Sequence, residues 1–289
     1  MSNDLYKNVN QDEGIDNISV TDYLSKFREK LAKKFSILNS EIIITEEDLK
    51  VIDQLLEAFK RGYFAQILEL NENKHQVLSR IFNSEPILAK LLKQKFIKAS
   101  EDCKIISRNY PALIQQVAQQ EKIEIDKTSA HPKYTFCKGF IMLEIDDREF
   151  KARAYTREGN LFIKPFDIQL VVSTIKQEIN RIFGRPFNSN QFAKMLYQNY
   201  SIIIKKEKKK IGEPIPIRKI TTRLGKNKKN FRTDEFIVDF SRLIESETPL
   251  IYKIDLDNTK DDRSGILLYQ MEAHGYIGFI RMRKEEAKL

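Results

Sequence analysis

Between Lys205 and Arg232 the chain places twelve basic residues in 28 positions: Lys205, Lys206, Lys208, Lys209, Lys210, Arg218, Lys219, Arg223, Lys226, Lys228, Lys229 and Arg232. Only Glu207 and Glu213 oppose them. The chemistry open to such a cluster is phosphate neutralisation, which releases the counterions condensed on a polynucleotide. Gly212, Pro214 and Pro216 interrupt the run and are expected to form an exposed tip. Just ahead of it, Asn190, Gln191, Lys194, Gln198 and Asn199 are residue types able to reach base edges. The competing readings are a solvated basic surface and a contact for an acidic protein partner.

A second group could do different chemistry. Glu144, Asp146, Glu149 and Lys151 lie close together, and Glu149-Phe150-Lys151 resembles the E-x-K fragment of metal-dependent nucleases, in which carboxylates hold Mg²⁺ and a lysine assists the attacking water. Two fixed residues recur by chance in a chain that is 31% charged, and these follow an Asp146-Asp147 turn. Polar alternation on an exposed strand is therefore expected here, with no catalytic residue and no metal ligand assigned. The sequence contains no G-x-x-x-x-G-K-S/T, G-x-G-x-x-G, H-E-x-x-H or G-x-S-x-G, and its ten glycines leave little material for a phosphate-cradling loop, so no cofactor is expected. Cys103 and Cys137 match no zinc or redox spacing and are expected to be reduced thiols. His75, His131 and His274 are read as scattered structural histidines.

The elements that must position these groups divide by charge. Residues 1–150 carry 22 Lys+Arg against 24 Asp+Glu, whereas residues 151–250 carry 21 against 10, so the excess behind the overall +9 sits in one stretch. A surface so unbalanced repels itself unless an anionic partner offsets it. With 41% hydrophobic residues the chain should fold, and 289 residues favour two domains. No apolar run reaches the roughly 20 residues of a membrane helix, and the acidic, polar first 20 residues are unlike a signal peptide. A cytoplasmic protein is expected, with no membrane association.

Residues 1–19 read as a flexible tail and 20–125 as a helical unit, a surface for a protein partner. Helical spacing runs through Tyr23, Leu24, Phe27, Leu31 and Phe35, then through Leu49, Ile52, Leu55, Leu56, Phe59 and Tyr63, with a bend or break at Gly62. Further helices are expected over 74–82, 86–99 and 111–119, separated by Asn-Ser-Glu-Pro and Arg-Asn-Tyr-Pro junctions. A basic α+β unit over 134–289 begins with a three-stranded meander at 134–145, 148–156 and 161–165. Strand-like runs return at 236–240, 249–254, 265–271 and 276–282, ending in Arg281, Arg283 and Lys284.

Between these lies the most informative stretch. Asp167 is expected to cap a helix ending at Gly184, and Asn188 or Ser189 a second helix carrying Phe192, Met195, Leu196 and Tyr200. Ser201 to Ile204 reads as a strand, the lysines as a hairpin tip and Ile217 to Leu224 as the returning strand. Helix, turn, helix, strand, basic tip, strand over 166–224 resembles the winged-helix arrangement in element order. The resemblance implies a second helix presented to the major groove and a tip laid on phosphates. The expectation is an α+β protein whose helical N-terminal unit precedes a strand-rich unit that binds nucleic acid, DNA favoured over RNA. Its role would be that of a non-catalytic subunit or accessory factor in replication, transcription control or defence against foreign DNA. A metal-dependent nuclease and a protein-interaction subunit binding an acidic partner are the alternatives.

Overall fold

The computed structural model describes residues 20–37, 46–246, 251–270 and 275–284. The tail expected at 1–19 and His274 lie outside them. The chain is mixed helix and sheet, with helices toward the N-terminus and strands toward the C-terminus. It divides into two compact units, each discontinuous in sequence. Unit 1 takes in the chain as far as Ile114 together with Asp146–Lys151 and Lys164–Val171; unit 2 comprises Gln115–Ile145, Ala152–Ile163 and the chain from Val172 onward.

Unit 1 is built on helices α1 (Val20–Ile37), α2 (Glu46–Arg61), α3 (Phe64–Asn73), α4 (His75–Ser84) and most of α5 (Pro86–Gln120). Leu24, Phe27 and Leu31 of α1 share a core with Val51, Ile52 and Leu55 of α2, as their three- and four-residue spacing requires. Glu46, Glu47 and Asp48 occupy the first turn of α2, where carboxylates oppose the helix dipole. Asp48 is buried and is bonded by Arg80 of α4 at 2.7 Å. Gly62 ends α2 with φ +67°, a conformation that costs glycine little.

Two details of unit 1 differ from expectation. Pro111 is expected to start a new helix, yet α5 runs through it. Proline removes one amide donor from the ladder, but the chain is pinned beside it. Tyr110 is fully buried, its hydroxyl donates to the Phe166 carbonyl at 2.9 Å, and its ring stacks on Phe166. Asp167 does precede α6 (Ile168–Phe183), and its carbonyl accepts the Val171 amide at 2.9 Å. Its carboxylate, however, accepts the amides of Ala65 at 3.0 Å and Gln66 at 2.8 Å, capping α3 from a hundred residues away. Burial lifts this carboxyl to about 6, against the lowering effect of those amides.

Unit 2 opens with a four-stranded sheet in chain order, β1 (Lys133–Phe136), β2 (Ile141–Asp146), β3 (Lys151–Thr156) and β4 (Gly159–Pro165). The run at 134–145, expected as one strand, is two, because Cys137, Lys138 and Gly139 all take positive φ and reverse the chain. Alternation along β3 holds: Ala152 and Ala154 are buried and Arg153 is exposed.

After α6 come α7 (Ser189–Lys206), β5 (Ile215–Pro216), α8 (Ile217–Asn227), α9 (Thr233–Glu245), β6 (Tyr252–Thr259), β7 (Ile266–Leu267) and β8 (Tyr276–Lys284). β8 pairs antiparallel with β6, β5 and β7. The hairpin expected over 201–224 is absent. Residues 201–204 complete α7, 217–224 form α8 and 236–240 lie in α9, so the helix-turn-helix-hairpin does not occupy 166–224. Ile203 and Ile204 prolong the stripe of Ala193, Leu196 and Tyr200; Ile217, Ile220, Thr221 and Leu224 repeat at helical spacing. Burying those faces together outweighs the strand preference of branched residues. Phe236, Ile237, Phe240, Ile266, Ile277, Ile280 and Met282 complete the same core.

Candidate nucleic-acid interface

α7 begins as its sequence signals, with the Asn188 side chain accepting the Gln191 amide at 2.9 Å. Its apolar face packs into the core, which leaves Asn190, Gln191, Lys194 and Gln198 exposed on the opposite side. Asn199 is turned back, its amide donating to the Met195 carbonyl at 2.8 Å.

The lysine run lies where α7 ends and the chain crosses to β5. Lys208 holds φ +55°, and the Lys209 amide reaches back to the Ile204 carbonyl at 3.0 Å, closing the last turn with a lysine where glycine is favoured. A buried phenol shapes the loop beyond that turn. Tyr200 is fully buried; its hydroxyl donates to the Glu213 carbonyl at 2.7 Å and accepts the Gly212 amide at 2.9 Å. The Lys210 amide bonds the Glu213 carboxylate at 3.1 Å. Gly212 takes φ +94°, and a Cβ there would lie 2.7 Å from Nε of Arg283, so the β8 arginine covers the loop. In sequence Arg283 is only part of a minor basic end, and Tyr200 only a member of the apolar stripe; neither signals a part in the loop.

Charge within the loop is partly compensated. Glu207 pairs with Lys219 of α8 and with Lys209 at 3.3 Å. The Lys219 hydrogen bond, supported by Lys209, holds the Glu207 carboxyl below the usual range. Lys205, Lys206, Lys208 and Lys210 are exposed and take part in no ion pair among the described residues. α8 continues the basic surface, with Lys219, Arg223 and Lys226 at four- and three-residue steps on the side away from the core. Lys228 and Lys229 follow in the exposed α8–α9 turn and, like Lys194 and Lys226, have no ion-pair partner among the described residues. The loop and this turn lie at opposite ends of an 11-residue helix, about 16 Å long at roughly 1.5 Å per residue.

The remaining cations are held. Arg218 turns inward, making two bonds to the Glu158 carboxylate and one of 2.7 Å to the Gly265 carbonyl. Arg232 pairs with Asp234 at 3.2 Å. α9 carries Asp234, Glu235 and Asp239, met by Arg181 of α6 and Arg185 of the connection that follows it: Arg181 bonds Asp234 at 2.9 Å and also Glu235, and Arg185 bonds Asp239 at 2.9 Å. Arg242 returns the connection through the Phe183 and Arg185 carbonyls. Burial would raise the Asp234 carboxyl, but the hydrogen bond and charge of Arg181, aided by Arg232, hold it below the usual range.

Around the E-x-K fragment, Asp146 accepts the amides of Arg148 and Glu149 and so forms the turn, while Lys151 pairs with Glu149 at 2.8 Å. No group of three or more His, Cys, Asp or Glu among the described residues is placed to hold a metal ion. No helix among them is long and apolar enough to cross a membrane. No protein-family model, curated protein or solved structure matches the chain.

Proposed function

We propose that unit 2 binds nucleic acid, duplex DNA in the first place, by gripping its backbone, and that the protein acts as a non-catalytic DNA-binding subunit or accessory factor. The observation that carries this reading is the group of exposed lysines without ion-pair partners among the described residues: Lys205 and Lys206 in the last turn of α7, Lys208 and Lys210 in the loop, Lys226 in the last turn of α8, and Lys228 and Lys229 beyond it. Phosphates are the partner such an array neutralises best. The Tyr200 phenol pre-shapes the loop, so little ordering is needed on binding.

The winged-helix resemblance is proposed for a different stretch from the one its sequence pointed to. In chain order come α7, β5, α8, α9, β6 and, after the short β7, β8, which lies between β5 and β6 in the sheet, and this order resembles a helix-turn-helix, α8 and α9, completed by a hairpin. In that arrangement α9 would read the groove. Here its polar face is acidic and already bonded by Arg181 and Arg185, which favours contact with the backbone over contact with bases.

The test is the salt dependence of binding to duplex DNA for the wild type and for a variant with Lys205, Lys206, Lys208, Lys209 and Lys210 all changed to Gln. If three to five of them meet phosphates, the slope of log affinity against log salt becomes shallower by roughly 0.9 per lost contact, about 2.7 to 4.5 in all. Circular dichroism should be unchanged. An unaltered slope in a folded variant overturns the reading and leaves an acidic protein partner for the loop.

A further inference from the structure

Unit 2 also contains a cleft of about 440 Å³ that the proposed backbone grip leaves unused, within the range of roughly 300–1,000 Å³ typical of small-ligand sites. Two tight turns of the first sheet contribute to its lining, Lys138–Phe140 between β1 and β2 and Thr156–Glu158 between β3 and β4. The C-terminal segment contributes Leu267, Leu268, Tyr269 and Tyr276, with Arg218 of α8 and Ile237 of α9.

Three cations line this cleft, and they differ in what holds them. Arg218 is neutralised by the Glu158 carboxylate and tied to the Gly265 carbonyl, which makes it a strut. Arg157 is exposed and donates to the phenol oxygen of Tyr276 at 2.6 Å, its guanidinium 6.0 Å from that ring's centroid. Lys138 is exposed and donates to the amide oxygen of Gln270 at 2.9 Å. Both partners are neutral, and neither Arg157 nor Lys138 has an ion pair among the described residues. Two cations without ion-pair partners therefore border a cleft that also presents the rings of Phe140, Tyr269 and Tyr276. Phe140 and Tyr269 meet edge to face at 5.5 Å and both pack on Phe183, while Phe140, Tyr269 and Tyr276 all remain half-buried, so aromatic surface is available at the cleft for a planar ligand. Asp262, also in the lining, offers an acceptor for hydroxyl or amino groups.

We propose that this cleft binds a nucleoside monophosphate, with the phosphate on Arg157 and Lys138, the base against the tyrosine rings and Asp262 accepting from the sugar or the base. The proposal stands apart from the backbone grip, which uses other residues. The probe is 5′-AMP, titrated calorimetrically into the full chain, with adenosine and inorganic phosphate as its two halves. Saturable binding of AMP is expected, with each half bound at least about tenfold more weakly because charge and stacking act together. Arg157→Gln, an exposed substitution that should leave the circular dichroism unchanged, is expected to weaken AMP about tenfold. The variant with five glutamines between positions 205 and 210 should bind AMP as the wild type does. No saturable binding at millimolar AMP overturns the proposal. So does unchanged affinity in Arg157→Gln, phosphate binding as tightly as AMP, or loss of AMP binding in the five-glutamine variant, which would assign the nucleotide to the loop as a generic anion.

Discussion

Where α6 meets α9, Arg181, Arg185 and Arg242 interlock with Glu178, Asp234, Glu235 and Asp239. Along the connection from α7 through α8, lysines stand exposed, with Glu207 the one carboxylate paired to them among the described residues. Both regions are strongly charged, yet they do different things with that charge. Arginine's planar fork binds several acceptors at once and is easily fixed in a partly buried lattice, whereas lysine's hydrated ammonium remains available to a partner that arrives from solution. One region uses charge to hold helices together and the other holds it out to a ligand.

Breaking the lattice should have the largest effect. Arg181→Ala leaves Asp234, 3% exposed, with Arg232 as its remaining ion-pair partner among the described residues. Loss of one member of a buried pair costs about 3 kcal/mol, read as a lower denaturant midpoint, while the salt slope of DNA binding at permissive temperature stays at the wild-type value. A shallower slope would show that α9 contributes to the grip.

Asp167 tests a buried charge held by amides instead of cations. Asp167→Ala strands the amides of Ala65 and Gln66 and should cost about 2 kcal/mol. The pH dependence has a definite sign. The folded carboxyl titrates near 6 and an unfolded aspartate near about 4, so between these values the folded chain binds the extra proton. Relative to Asp167→Asn, the wild type should gain stability as pH falls from 6 toward 4 and lose that increment as pH rises through 6. Parallel curves for the two proteins across this window would refute the raised pKa.

Two smaller changes sharpen the loop's side of the comparison. Glu207→Gln frees Lys209 and Lys219 from their carboxylate, so DNA affinity should rise and the salt slope steepen by about 0.9 for each cation that gains a phosphate. Equal or weaker binding would mean that the Glu207 pairs position the loop for its ligand. Lys208→Gly removes one cation and relieves the φ of +55°. The slope should become shallower by about 0.9, while stability is unchanged or rises by up to about 1 kcal/mol. A fall in stability would show that the lysine stem packs.

Much of the helical half is legible in the sequence. The spacing of Leu24, Phe27 and Leu31 and the break at Gly62 both correspond to what forms, because local periodicity and backbone freedom decide them. The second half misleads where residue type and periodicity disagree. Ile202-Ile203-Ile204 and Ile217 to Leu224 are rich in branched residues, so they read as strands; their helical spacing, which matches the core they bury, is the better signal. Pro216 precedes α8 at φ −59° and so permits the helix instead of preventing it. Within the candidate site, the count of cations is legible and their partners are not. Arg218 looks like Lys226 and Lys228 on paper, and only the fold brings Glu158 to it; the Asp234 that pairs with Arg232 stands two residues further along the chain.

The long reach of Asp167 has a consequence for synthesis. α3 receives its cap, and Tyr110 its acceptor at Phe166, from residues that leave the ribosome about a hundred and about fifty positions later. Leu170, packed against the helical core, is later still. A nascent chain that has exposed only α1 to α5 therefore cannot finish unit 1, which must wait, incompletely packed, while the first sheet emerges. Expressed alone as residues 20–125, the helical segment should behave as a loosened intermediate, and supplying the chain as far as Val171 should be the shortest extension that lets it close.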